Sequence, residues 1–481
     1  MLIQLNSIRH ADALAAVRER VVGIDREVPV LGGGRRAYVN LDNAASTPVL
    51  REVLDAVNEF MPWYSSVHRG AGFKSRVATQ AYEDARRIVA GFVGADDPEH
   101  VVLFGKNTTE AINKLAARLA LQPGDVVLVS QLEHHSNDLP WRATPARVLH
   151  VGCDALGRFD EAHFERLLRE HAGRVRLLAV TGGSNVTGTL PDVHRLAEKV
   201  HAAGAQIFVD CAQLAPHRAI RVGALDDPAH LDYVALSAHK MYAPFGTGAL
   251  IGRRDTFERG APEQRGGGTI EFVSLDDVEW APAAEDRDEA GSPNVVGAVA
   301  MAAAVQALQR IGMDAIARHE AELTAYALQR FSRIEGLTIY GDADPARAGE
   351  RLGVITFNLE GLSHGHVAAV LSTEFGIGVR NGCFCAHPYL IALLGLSPVE
   401  VQDLRADMIA GDRRAIPGMV RVSFGSYNSF DDIDAVADAL ERIARGEVRG
   451  RYVQDRASGE YAALGFQPDL RADFGLPSKA S

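Results

Sequence analysis

From about residue 95 to 252, short apolar runs alternate with stretches of helical period. VVLF at 101–104, VVLV at 126–129, LLAVT at 177–181, IFVD at 207–210, YVAL at 233–236 and GALI at 248–251 each read as a buried strand. Between two of them, LPDVHRLAEKVHAAG places Val193, Leu196, Ala197 and Val200 on one helical face, and Gly204 supplies a stop. Strands that alternate with helices predict an α/β layer around a mostly parallel sheet. In such a layer, a ligand site is expected at the polar ends of the strands.

Beyond about residue 300 the pattern changes. A helical stretch over roughly 296–334 leads into GLTIY, GVITFN, a helix near 365–374, GIGVR, MVRVSF and an amphipathic helix at 430–445. This predicts a smaller α+β domain. The chain then divides into an N-terminal segment (1–30) packing with the small domain, a large domain (31–300), a small domain (301–448) and a turn-rich surface arm (449–481).

Composition narrows the function classes. Hydrophobic residues make up 47% of the chain and charged residues 23%, the balance of an ordinary soluble protein. The longest apolar run, VVGAVAMAAAV at 295–305, is too short to span a bilayer. The N-terminus lacks an apolar region behind a basic start, so no secretory signal is expected. A net charge of −12 without a long basic block argues against nucleic-acid binding. Cys153, Cys211, Cys383 and Cys385 are too few in 481 residues for a disulfide framework, and a reducing cytoplasm is the expected setting.

SAHKMYAPFGTG follows strand YVAL, so Lys240 sits where a buried strand gives way to a Gly/Pro loop. A lysine held partly deprotonated can form a Schiff base with an aldehyde cofactor, although a loop lysine alone is ordinarily a solvated charge. FVDCAQ ends another strand on Asp210, with Gln213 three residues on. A carboxylate there can pair with a protonated pyridine nitrogen, or simply cap a helix. FGKNTTEAIN runs from strand through turn to helix start, where Thr108, Thr109 and free N–H groups suit a phosphate. SQLEHHSNDLPW puts His134 after strand VVLV, where an imidazole can lie against an aromatic ring. A zinc reading of His134 and His135 lacks further ligands at usable spacing, and no metal is expected.

Together these stretches resemble fold-type I pyridoxal 5′-phosphate (PLP) enzymes of the class V aminotransferase family, and within it the SufS-like (group II) cysteine desulfurases and selenocysteine lyases. The likeness rests on LDNAAST, VHRG, TTEAIN, EHHSN, SNVTGT, DCAQ, SAHKMY, GGGT, EAGSPN and RNGCFCAHP, in that order over about 38–445. It implies an α/β fold-type I architecture, with a mostly parallel seven-stranded sheet in the large domain and a smaller α+β C-terminal domain. It implies that Lys240 holds PLP as a Schiff base, Asp210 pairs with the ring nitrogen, Gln213 contacts the ring oxygen and His134 stacks on the ring. Thr108, Thr109, Ser237 and His239 would hold the phosphate, with Ser292 reaching in from a second subunit, so a homodimer is expected. Asn185 and Arg380 would receive the carboxylate of an amino-acid substrate, with His68 and Arg421 close by. The implied reaction converts L-cysteine to L-alanine and leaves the sulfur on a cysteine as a persulfide for an acceptor protein.

RNGCFCAHP, at 380–388, holds two of the four cysteines. The family's nucleophile stands five residues after the arginine, which selects Cys385. A Cys383–Cys385 disulfide would close a strained small ring, and a zinc site would lack a fourth ligand. Cys383 is therefore either a small packed hydrophobe or a residue with a role of its own. Two features depart from the family pattern. TGGSNV lacks a histidine two residues before its serine, and 389–417 is longer than expected, reading as an added helix and a charged loop beside Cys385. They keep a second expectation open: another class V reaction (C–S lyase, selenocysteine lyase, epimerase or aminotransferase) on a different amino acid.

Overall fold

The structure, a computed structural model, describes residues 17–68 and 70–476. Residues 1–16 of the expected N-terminal segment, and Arg69 of VHRG, lie outside the described residues. Seven strands form the central sheet: β1 (His100–Gly105), β2 (Val126–Ser130), β3 (Arg147–Val151), β4 (Val175–Thr181), β5 (Gln206–Asp210), β6 (Tyr233–Ser237) and β7 (Gly248–Arg253). Their order is β1-β7-β6-β5-β4-β2-β3, with β7 antiparallel to both neighbours and every other pairing parallel. The six expected runs fall within β1, β2 and β4 to β7. The edge strand β3 has no apolar run to mark it, because only Val151 in RVLHV is buried.

Alternate residues of each strand enter two different cores. Val102, Leu128, Val180, Val209 and Leu236 face one; Leu103, Val127, Ala179, Phe208 and Ala235 face the other. Burial on both faces is why these runs are apolar at nearly every position. The surrounding helices include α1 (Arg51–Phe60), α2 (Phe73–Phe92), α3 (Thr108–Arg118), α4 (Val193–Ala202), α5 (Val295–Ile311) and α6 (Met313–Phe331). In α4, Asp192 accepts from Arg195 N, the four expected apolar residues are buried, and Gly204 turns the chain at φ +75°. The stretch expected as one helix over 296–334 is α5 and α6, because Gly312 at φ +94° breaks it with a 74° bend. Among the described residues no single helix is long and apolar enough to cross a membrane.

A second, antiparallel sheet of order β8-β9-β11-β10 comprises β8 (Leu337–Tyr340), β9 (Val354–Leu359), β10 (Arg380–Gly382) and β11 (Met419–Ser423). Its core joins Phe331, Phe357 and Val420 to α7 (His364–Phe375) and α10 (Phe430–Ala444) through Val370 and Leu440. Val39–Asn40, just before LDNAAST, pairs in parallel with Ile377–Gly378, which ties that motif to this second core. The 389–417 region holds α8 (His387–Leu394) and α9 (Pro398–Ile409). Buried Tyr389 anchors α8 through Thr187 Oγ1 at 2.8 Å, whereas α9 buries no residue. The C-terminal arm forms a hairpin, Tyr452–Gln454 with Tyr461–Ala463, laid on α7: Tyr461 stacks on His366 at 5.1 Å, and Glu374 accepts from Arg449 N, Gly450 N and Tyr452 Oη.

Candidate active site

The carboxyl ends of β2, β5 and β6 and the amino end of α3 open onto a cavity of about 250 Å³. Lys240 ends the short turn that follows β6, and its Nζ donates to Gln213 Oε1 at 3.4 Å. Burial lowers the lysine from its usual value to about 8, with Asp210 opposing the shift. Asp210 closes β5 as a buried carboxylate; Oδ1 accepts from Ala212 N at 2.9 Å, and burial raises its pKa. His134 Nδ1 accepts from Ser136 N at 3.1 Å, which leaves the ring proton on Nε2. Burial, then the charge of Lys240, lowers His134 to about 3, so the imidazole is neutral. Beneath it lies Glu133, wholly buried and raised by burial to about 8, which accepts from Asn137 Nδ2 and Thr181 N at 2.7 Å each.

At the other end of the cavity, α3 starts at Asn107, whose side chain accepts from Glu110 N at 3.0 Å. Thr108 Oγ1 lies 2.8 Å from Ser237 Oγ, and Thr109 Oγ1 lies 2.7 Å from Ser136 Oγ. His239 lines the same end with Nδ1 3.3 Å from Ser46 Oγ. Glycine at 248 permits this juxtaposition, because a Cβ there would lie 2.7 Å from Asn107 Cα and 2.6 Å from Leu236 O. Helix N–H groups, two threonines and a serine at one end, and a buried carboxylate at the other, suit a dianionic phosphate and a protonated pyridine. The donor set fits PLP, with the Lys240 amine between.

The second sheet supplies the facing wall. Arg421, buried on β11, donates to Asp42 Oδ1 at 2.9 Å and to Asn185 O at 3.0 Å, and its guanidinium lies 4.9 Å from the Phe384 ring. Its Nε has no partner among the described residues. Arg380, half exposed, approaches Asp42 Oδ2 only at 3.8 Å. Asn185 donates through Nδ2 to Phe384 O at 2.9 Å. Phe384 and Cys385 stand at φ +53° and +55°, left-handed conformations that strain residues with a Cβ. The bond from Asn185 and another from His135 N to Cys385 O at 2.7 Å hold them there. Cys385 is exposed and lines the cavity, whereas Cys383 is half-buried and packs with Leu132, Val186 and Met419.

Twelve of the fourteen expected residues thus border one cavity: Thr108, Thr109, His134, Asn185, Asp210, Gln213, Ser237, His239, Lys240, Arg380, Cys385 and Arg421. Two do not. His68 and Ser292 line a separate cavity of about 510 Å³ with Glu289 and Gly267, and His68 Nε2 is 3.3 Å from Glu83 Oε1. Within one chain His68 therefore does not meet the Lys240 cavity. No residue of 389–417 lines the Lys240 cavity either, so the added helices do not cover it. Sequence reasoning passed over Asp42, Ser136 and Glu133. Each sits inside a motif already singled out, and Asp42 meets Arg421 across 379 positions, which no local spacing reveals.

A doubly wound sheet with a lysine at one strand end, a carboxylate at the next and a helix-borne phosphate cradle defines the fold-type I class of PLP enzymes. The model of the aminotransferase class-V family matches residues 39–436, and the chain belongs to that family. A probable cysteine desulfurase of Halalkalibacterium halodurans is 36% identical over 412 residues, covering 84% of this chain and 92% of that protein. A cysteine desulfurase of Haloferax volcanii is 34% identical over 445 residues, 89% of this chain and 96% of its own length. Among solved structures, the cysteine desulfurase of Thermococcus onnurineus superposes with a TM-score of 0.76 at 30% identity, covering 90% of this chain and 98% of that one. The cysteine desulfurase CsdA of Escherichia coli gives 0.74 at 30% identity, covering 91% and 99%.

Proposed function

We propose that this protein is a PLP-dependent cysteine desulfurase that moves the sulfur of L-cysteine onto Cys385 and releases L-alanine. The observation that carries the reading is the convergence of Cys385, Lys240, Asp210 and Arg421 on one cavity. The relatives named cysteine desulfurase support it. PLP, when bound, supplies an electron sink for bonds at the carbons of the amino acid. Thr108, Thr109, Ser237 and His239 would hold its phosphate, and Asp210 would keep the ring nitrogen protonated. Arg421 binds the substrate carboxylate, since its unpartnered Nε and planar fork suit a carboxylate. This shifts the main carboxylate contact from Arg380, which is half exposed, to Arg421 with Asn185 alongside. Lys240, partly neutral near pH 8, takes the proton from the substrate Cα. The Cys385 thiolate attacks the substrate sulfur: an S–S bond forms, the substrate Cβ–S bond breaks with its electron pair left on the carbon fragment, Cβ takes up a proton, and Lys240 returns its proton to Cα to give alanine.

The same reading requires a reduced Cys385 and so a reducing compartment such as the cytoplasm. It also includes a homodimer, in which the cavity holding Ser292 and His68 meets the partner's site, and an acceptor protein that takes the persulfide sulfur. Incubation with L-cysteine tests the core of the proposal. Wild type is expected to yield alanine and one labile sulfur per chain, and Cys385→Ser to yield neither at a comparable rate while Cys383→Ser retains both. Pyruvate and ammonia, or alanine without bound sulfur, would reject it.

A further inference from the structure

At the opposite end of the central sheet's strands, where β6 begins, three side chains converge. His201 lies at the end of α4, His230 in the loop before β6, and Asp232 immediately before Tyr233. One ligand atom from each lies within 4.8 Å of the others. The two imidazoles stack with centroids 4.2 Å apart. His201 Nε2 is 2.9 Å from Asp232 Oδ2, and His230 Nε2 is 3.3 Å from Asp232 Oδ1. The Nδ1 atoms are also engaged, His201 with Pro228 O at 2.7 Å and His230 with Asp227 O at 2.6 Å. A carbonyl only accepts, so both Nδ1 atoms carry protons.

That tautomer has a consequence. With Nδ1 protonated on both rings, the two Nε2 atoms face a carboxylate that also only accepts. Hydrogen bonding satisfies this arrangement fully only if both stacked rings are imidazolium, two like charges side by side. A single cation among two neutral Nε2 atoms and the Asp232 carboxylate satisfies it without that repulsion. An Nδ1–H to a backbone carbonyl is also how metal-binding histidines are oriented. Arg253 Nη1 stands 3.4 Å from Asp232 Oδ1, but Asp255 engages the same guanidinium at two contacts of 3.2 Å. A second observation points to the same place. His100, opposite Arg253 in the β1–β7 register, is only 5% exposed, and neither of its ring nitrogens has a partner among the described residues. Its electrostatic neighbours are Asp97 first, then His230, Arg253 and Asp232.

We propose that His201, His230 and Asp232 bind a divalent transition metal ion. Two imidazoles and one carboxylate fit Zn²⁺ best. The length of β6, about 15 Å, separates this site from Lys240, so its role is structural, joining α4, the loop at 224–230 and the start of β6. Chelator-treated holoenzyme carrying Cys385→Ser, which removes the exposed thiol as a competing ligand, is titrated with ZnCl₂ by calorimetry. One ion per chain with a raised thermal-unfolding midpoint is expected, and His230→Gln and Asp232→Asn should each weaken binding by about tenfold or more. Unchanged binding in both variants overturns the proposal. If the variants misfold, anomalous scattering from a zinc-soaked crystal of the unsubstituted chain decides. A peak among the three side chains supports the site; no peak there overturns it.

Discussion

Lys240, Asp210 and Ser237 stand at the ends of strands buried on both faces, whereas Cys385 stands on a loop held by two hydrogen bonds in a left-handed conformation. The first wall takes its geometry from the sheet. Displacing any of its groups means displacing a strand packed between two cores. The second wall takes its geometry from clamps, working against backbone strain of about 1 kcal/mol or more at each of Phe384 and Cys385. On the proposed function, cofactor binding falls to the sheet-built wall and sulfur transfer to the clamped loop.

Substitutions separate the two walls. The largest effect belongs to the sheet side: Lys240→Ala is expected to lower alanine formation by about 1,000-fold or more, and a spectrum lacking the band of lysine-bound PLP would confirm the cause. On the clamped side, Arg421→Lys keeps the charge but loses the planar fork. Steady-state kinetics should show KM for cysteine raised by about tenfold or more, with kcat changed less. A pH series on the cofactor-free protein reports on Lys240. Its depressed pKa means that the amine is protonated below about 8, so the rate of PLP capture should fall about tenfold per pH unit below that value and level off above it. The sign for stability follows: between about 8 and the ordinary lysine value the unfolded chain binds more protons, so Lys240 makes the folded protein more stable as pH rises through that window. The smallest effect is Asn185→Ala, which frees Phe384 O; first-turnover persulfide formation should slow about fivefold while PLP affinity stays unchanged.

The same contrast governs what the sequence could reveal. β1, β2 and β4 to β7 were legible because double burial makes them continuously apolar, and α4 because its four buried residues share one face. β3 was not, since an edge strand needs no such run. Residues on strand ends and helix starts, including Lys240, Asp210 and Thr108, follow from these elements. Asp42, by contrast, acquires its meaning only when β11 brings Arg421 beside it. The left-handed turn at Phe384 and Cys385 is likewise invisible, because neither residue type announces it. His201 and the His230–Asp232 pair come from two places with no ligand-like spacing between them, and only the fold brings them together.

The position of β7 also dictates when the site can exist. Among the described residues β1 pairs in the sheet only with β7, and Gly248 comes up against the Asn107 backbone only once β7 is seated. On the ribosome β1 emerges long before its partner. At usual elongation speeds, roughly ten seconds separate the two. Throughout that interval the anion cradle is half-built, and a nascent chain truncated before residue 248 would hold Thr108 and Thr109 without the strand that seats them against Ser237. Long sequence separation of this kind slows folding, so on the proposed function capture of PLP waits until translation has passed the sheet's last strand.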